Sequence, residues 1–243
     1  MDLVSVIIPV YNGESFLSDT LESIVNQTYQ EMEIIIVNDN SDDNTSDVID
    51  SFDDKRLVVI NNTVNLGVAK SRNIGIENST GYYVAFCDAD DLWVKDKLQK
   101  QIESFNEDVG IVCSDYSVFN ELTGYKKIVK YDGAKEFSEL LKTNFIPNSS
   151  AIVRRTLIGS IRQESKGHED YIFWLSLLSA NPQFKVVRLN EVLMMYRVHE
   201  KSLSRNKFRA VIWQWRIYRN TLRIGVLRSL YYWVYYIINA LGK

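Results

Sequence analysis

The chain has 243 residues, enough for one large domain or two small ones with a sizeable core. Hydrophobic residues make up 46 % and charged residues 24 %, the balance of a globular protein rather than a disordered one. The net charge of -3 conceals an asymmetry: residues 201–243 hold nine Lys or Arg and no Asp or Glu, so an acidic body carries a basic tail, which points to membrane or nucleic acid as the tail's partner.

The chain enters a strand at once, in Leu3-Val4-Ser5-Val6-Ile7-Ile8, without the basic start and small-residue cleavage site of a signal peptide. A cytosolic body is expected. Residues 4–10 read as a strand and 16–26 as an amphipathic helix. Residues 33–38, with Ile34-Ile35-Ile36-Val37, read as a strand buried on both faces. Helices are expected at 45–52, 68–78 and 95–106, and strands at 57–61, 82–87 and 109–114. Repeated βα units predict a mainly parallel sheet with helices on both faces. After Asp115 the rhythm loosens. A hairpin is expected around Thr123-Gly124, a helix over 134–142, a strand over 149–154 and a helix over 168–180. Two strands, 184–189 and 192–198, are expected to join at Asn190-Glu191. Cys87 and Cys113 lie in apolar runs and read as buried reduced thiols, and no Cys/His cluster has zinc spacing.

Six segments carry chemistry-bearing residues. Pro9-Val10-Tyr11-Asn12 ends the first strand; Pro9 is expected to stop the ladder there, and Tyr11 offers a ring and a hydroxyl. Asn38-Asp39-Asn40-Ser41-Asp42-Asp43-Asn44 follows a fully apolar strand. Helix capping by Asp42, Asp43 or Asn44 explains much of it, but Asp39 lies too early to cap. In Asn65-Leu66-Gly67-Val68-Ala69-Lys70-Ser71-Arg72-Asn73-Ile74-Gly75 the glycine spacing fits neither a phosphate loop nor a dinucleotide fingerprint. Its small residues allow close packing on the sheet, and Lys70 and Arg72 can reach an anion or stay solvated.

Asp88-Ala89-Asp90-Asp91 follows the apolar run Tyr82-Tyr83-Val84-Ala85-Phe86-Cys87. Like charges this close repel unless a cation sits among them, and a hard divalent ion prefers carboxylate oxygens. The competing reading is capping of the next helix, with Asp91 as the cap. His168-Glu169-Asp170 opens a helix, where the macrodipole favours two carboxylates and a proton-accepting base is also well placed. Tyr196-Arg197-Val198-His199, after the last strand, places one of only two histidines where it can bind a metal or phosphate, or simply lie on the surface.

Taken in order, Val-Ile-Ile-Pro-Val-Tyr-Asn, the Asp39 loop, Asn-x-Gly-x-Ala-x-x-Arg-Asn-x-Gly, Asp-Ala-Asp-Asp-Leu-Trp, Glu-Asp and Tyr-Arg-Val-His resemble the family 2 glycosyltransferases. The resemblance covers about residues 3–204. It implies the GT-A fold, a Rossmann-like mixed α/β sheet flanked by helices. It also implies transfer of a sugar from a UDP-sugar with inversion at the anomeric carbon. Carried over to this sequence, Pro9 and Tyr11 would flank the nucleobase, Asp39 would hydrogen-bond the uracil, and Arg72 would lie near it. Asp88 would sit by the ribose and metal, and Asp90 would be the main ligand of Mn2+ or Mg2+ on the diphosphate. His199 would approach the same metal, and Asp170 would deprotonate the acceptor hydroxyl. One departure stands out: Asn38-Asp39-Asn40-Ser41 replaces the family's frequent Asp-Asp-Gly-Ser. Asn tolerates left-handed backbone angles, so Asn40 can stand in for Gly.

The chain therefore divides into residues 1–204, the GT-A domain, and 205–243, a basic, aromatic-rich, amphipathic helical tail. Leu230-Tyr231-Tyr232-Trp233-Val234-Tyr235-Tyr236-Ile237-Ile238 is shorter than the ~20 residues that span a bilayer. Its aromatics suit the membrane interface and the neighbouring arginines suit anionic headgroups. The tail is expected to lie peripherally on the cytoplasmic face of the inner membrane, or else to pack on the domain or a second subunit as a homodimer. That position suggests an undecaprenyl-diphosphate-linked glycan acceptor and a role in surface polysaccharide or O-antigen synthesis. The competing functions are a nucleotidyltransferase, which wants a glycine-rich basic phosphate loop absent near Pro9, and a non-catalytic nucleotide-sugar-binding or membrane scaffold protein. Nucleic-acid binding by the tail is disfavoured by its hydrophobic content.

Overall fold

The structure, a computed structural model, describes residues 2–130, 137–199 and 207–241, and the side chains of all of these but 207–211 and 239–241. The first half follows the βα rhythm read from the sequence. β1 (Val4–Val10), α1 (Leu17–Val25), β2 (Met32–Asn38), α2 (Thr45–Asp50), β3 (Leu57–Asn61), α3 (Val68–Asn78) and β4 (Tyr83–Phe86) alternate in order. β1 pairs in parallel with β2 and β4, and β2 in parallel with β3. β2 is apolar and buried from Ile34 to Val37 because helices cover both of its faces, whereas Val58 and Val59 of the edge strand β3 are exposed.

The second half corrects the expectation of a mainly parallel sheet. β5 (Leu92–Trp93), α4 (Lys97–Glu103), β6 (Val109–Asn120), β7 (Tyr125–Val129), α5 (Phe137–Lys142), β8 (Ile152–Arg154), α6 (Arg155–Ile158), α7 (Glu169–Ala180) and β9 (Lys185–Arg197) follow. β8 runs antiparallel to both β4 and β6, β9 is parallel to β6, and β5 and β7 are antiparallel edges. Among the described residues this makes one mixed sheet, ordered β3-β2-β1-β4-β8-β6-β9-β5 with β7 beside β6. Asn190-Glu191 is not a turn: Leu189 pairs with Ser114 and Val192 with Asp115, so the two residues bulge out of one continuous β9. Residues 131–136, which include the first three of the helix expected over 134–142, lie outside the described residues.

Alternation along the strands divides the core. Ile7, Val84 and Phe86 face one cluster with Ile76 and α7; Val6, Ile8, Tyr83 and Ala85 face the other with α1 and Leu98. Gly75 lets α3 lie against β1, since a Cβ there would come within 2.4 Å of Ile7 Cγ2.

The tail forms α8 (Lys207–Arg216), a π-helical turn (Ile217–Thr221) and α9 (Val226–Leu241). It is no loose appendage. Ile217 and Tyr218 are buried in the α7-side cluster, Gln214 Nε2 donates to Tyr171 Oη at 3.0 Å, and Tyr218 Oη donates to Leu141 O. The boundary expected at 204 lies outside the described residues.

Candidate active site

The carboxyl ends of β1, β2 and β4 meet on one side of the sheet, the place where open α/β sheets bind ligands. Pro9 does not end the ladder as expected. It is buried within β1 and pairs with Val37 of β2. Its lost N–H falls on the β4 side, where pairing has already stopped at Ile7–Phe86. Tyr11 follows and is 51 % exposed.

The loop after β2 locks onto the loop after β1. Asn12 N–H donates to Ser41 Oγ, Asp42 N–H to Asn12 Oδ1, and Gly13 N–H to Thr45 Oγ1. Asp43 accepts from the N–H groups of Glu14 and Thr45, so it ties this junction as well as the start of α2. Asn40 has φ of 60°, the left-handed value for which Gly is the usual residue. Asp39 is buried and accepts from Leu66 N–H (2.9 Å), Gly67 N–H (2.7 Å) and Asn62 Nδ2 (2.7 Å). Burial opposes its charge, but these bonds outweigh it and hold the carboxyl below its usual range. Asp39 thus organises the start of α3, a role the sequence did not reveal.

The aspartates after β4 separate sharply. Asp88 remains about a third exposed and pairs with Arg72 Nη2 at 2.5 Å. Asp90 Oδ2 lies 3.0 Å from His199 Nε2, and burial followed by repulsion from Asp88 raises its pKa against the pull of His199. Asp91 is 1 % exposed and accepts from Arg197 N–H at 3.2 Å. Burial, then Asp88 and Asp90, raises it far above the carboxylate range. The expected cap role is corrected: α4 begins at Lys97, and Asp91 instead fastens the loop to β9.

Arg72 joins two ends of the site. It is buried, bonds Asp88 and Gln163 Oε1, and with the Asn148 amide oxygen turned inward also donates to it at 3.2 Å. Burial opposes its charge, but Asp88, then Asp170 and Glu169, raise its pKa. Asp170 opens α7 and accepts from Asn144 Nδ2 at 3.3 Å. Burial lifts its carboxyl above the usual range, and Arg72 draws it back. Gly167 and His168 enter this helix with φ of 75° and 53°. A Cβ at Gly167 would lie 2.8 Å from the Trp213 ring, so α8 packs directly behind the turn that presents Asp170.

Arg197 was missed as a separate element of the site. Only 2 % exposed, it donates from Nε to Asp90 O (3.0 Å) and pairs with Asp19 and Glu121. Its neighbour His199 supplied the visible signal. Gln163 and Asn148 gave none, because their roles depend wholly on Arg72 reaching them. Residues 200–204 of the last motif lie outside the described residues. Among the described residues, no three or more His, Cys, Asp or Glu side chains form a metal cage. Asp90 and His199 do converge, and a carboxylate beside an imidazole fits a divalent ion that takes its other ligands from outside the protein.

Comparison with known proteins bears on this arrangement. The sequence profile of the family described as Glycosyl transferase family 2 matches residues 5–162. The Escherichia coli protein WfaP, named UDP-Glc:alpha-D-GlcNAc-diphosphoundecaprenol beta-1,3-glucosyltransferase, is 35 % identical over 246 residues, covering 100 % of this chain and 96 % of its own. The structure of S. aureus TarS 1-349 in complex with UDP-GlcNAc superposes with a TM-score of 0.75 at 19 % identity, over 98 % of this chain and 72 % of that one. The mannosyltransferase PcManGT of Pyrobaculum calidifontis, in complex with GDP-Man and Mn2+, has a TM-score of 0.72 at 20 % identity, over 95 % and 69 % of the two chains.

Proposed function

This chain belongs to glycosyl transferase family 2 and has the GT-A fold, and on that premise we propose that it moves a sugar from a UDP-sugar, with inversion, to a hydroxyl of an undecaprenyl-diphosphate-linked glycan in bacterial surface polysaccharide synthesis. The observation that carries this reading is Arg72. One buried guanidinium touches Asp88, on the donor side, and feels the charge of Asp170 and Glu169. Donor carboxylate and base therefore share one electrostatic unit.

In this reading Tyr11 offers its exposed ring to the nucleobase beside Pro9, and the ionised Asp39 accepts from the uracil imide. Asp88 sits at the ribose. Asp90 and His199 would hold a divalent ion, Mn2+ or Mg2+, a reading supported by the Mn2+ of PcManGT. When bound, the metal acts as a Lewis acid that stabilises the charge growing on the leaving group. Asp170 takes the acceptor hydroxyl's proton as that oxygen attacks the anomeric carbon. Its raised pKa suits it to this task, because a base nearer neutrality accepts a proton more readily. Glu169 turns back to accept from Gly167 N–H, which leaves Asp170 as the base of a single displacement that inverts the centre.

The acceptor assignment is supported by the name of WfaP and by α9. Leu227, Leu230, Tyr231, Val234, Tyr235 and Ile238 form an exposed apolar stripe, with Arg228 exposed nearby. Among the described residues, no helix is long and apolar enough to cross a membrane. An in-plane position on an anionic leaflet satisfies both features.

A thermal-shift and hydrolysis screen of UDP-sugars with Mn2+ tests the donor. Asp90→Ala should lose metal-dependent UDP binding. Asp170→Asn should keep donor binding and lose transfer; ordinary turnover in that variant would refute the base.

A further inference from the structure

We propose that Phe16 is a positioning residue of the diphosphate end of the site, its ring setting His199 onto Asp90. The inference rests on the metal reading of Asp90 and His199 given above.

Phe16 stands immediately before α1, partly buried and in neither core cluster. The His199 imidazole stacks on its ring, with centroids 4.8 Å apart and planes inclined by 25°. The Arg197 guanidinium also lies over the Phe16 ring, 4.9 Å from its centroid. Arg197 cannot wander: it is held by Asp90 O, by the Asp91 carboxylate through its N–H, and by Asp19 and Glu121. Thr20 Oγ1 donates to Ala89 O at 3.0 Å, so α1 itself is fastened to the aspartate loop.

His199 lies two residues beyond the end of β9 at Arg197, next to Val198, whose N–H donates to Phe119 O at 2.9 Å. An imidazole that must meet a carboxylate and a metal needs its ring plane fixed, and neighbours that orient a ligand change metal affinity without touching the metal. Phe16 supplies that plane, borrowing rigidity from Arg197. The ring belongs to neither core cluster, and both His199 and Arg197 of the site lie against it.

The test measures Mn2+ affinity of the full chain in the presence of UDP, by the electron paramagnetic resonance signal of free Mn2+. Phe16→Leu keeps apolar bulk and should weaken Mn2+ binding roughly tenfold. Phe16→Tyr keeps the stack and should restore it. In a His199→Ala background, Phe16→Leu should cause no additional loss. In metal-free protein, a His199 ring proton should carry an upfield ring-current shift that disappears in Phe16→Leu. An unchanged affinity in Phe16→Leu, beside a clear loss in His199→Ala, overturns the positioning role alone. An equal loss with and without His199 overturns it too. If His199→Ala itself binds Mn2+ normally, the metal reading of His199 fails and takes this inference with it.

Discussion

Asp90 and Asp91 are neighbours in sequence and opposites in environment. One meets His199 beside solvent; the other is sealed under Arg197. The sequence displayed three clustered carboxylates and the need for a cation, but packing assigns each its neighbours. Asp170 carries the clearest pH expectation. Its pKa is raised by burial and lowered by Arg72, so transfer should fall as pH drops through the raised value. Arg72→Met removes the lowering charge, and the acid limb of the kcat profile should move to higher pH. Lys97 is fully buried, bonded to Gln101 Oε1 at 2.7 Å and 3.8 Å above the Trp93 ring. Burial lowers its pKa to about 7, against 10.5 ordinarily. The unfolded chain therefore binds the extra proton between these values, and stability should rise with pH across that window. Urea titrations at pH 7 and pH 10 should show that gain in the native protein and its loss in Lys97→Met.

At the scale of elements, the early βα units were legible because apolar runs and helix faces alternate with short polar loops. The strands β6 and β9 were not. Each was expected to be shorter, since Asp115, Asn190 and Glu191 resemble strand ends. Tertiary pairing overrides that signal: Arg188 Nε donates to Asp115 at 2.9 Å and Nη1 to Phe145 O at 2.8 Å, so a buried ion pair lets both strands continue. Asp115→Ala leaves Arg188 with a buried, partly uncompensated charge. It should destabilise the fold by about 3–5 kcal/mol in urea titration. The residues of β9 beyond the bulge then reach the aspartate loop, which is how Arg197 and His199 come to Asp90.

At the scale of the molecule, the tail belongs to the core on one face and faces outward on the other. Tyr218→Ala removes a fully buried aromatic and should cost about 3–5 kcal/mol by urea denaturation. Leu230→Glu with Val234→Glu changes only exposed positions. Stability should stay within about 0.5 kcal/mol, while flotation of the full chain with anionic vesicles should be lost. Retained flotation refutes the membrane face, and a monomer produced only by these substitutions points to a subunit contact instead. The sequence by itself determined the alternating first half, the ordered motifs and the amphipathic tail, because local periodicity and residue chemistry are written in the chain. Tertiary structure alone decided which aspartate is sealed, that Arg72 pairs with Asp88, and that α8 backs the turn before Asp170. These depend on burial and on contacts between segments far apart in sequence, which no local pattern encodes.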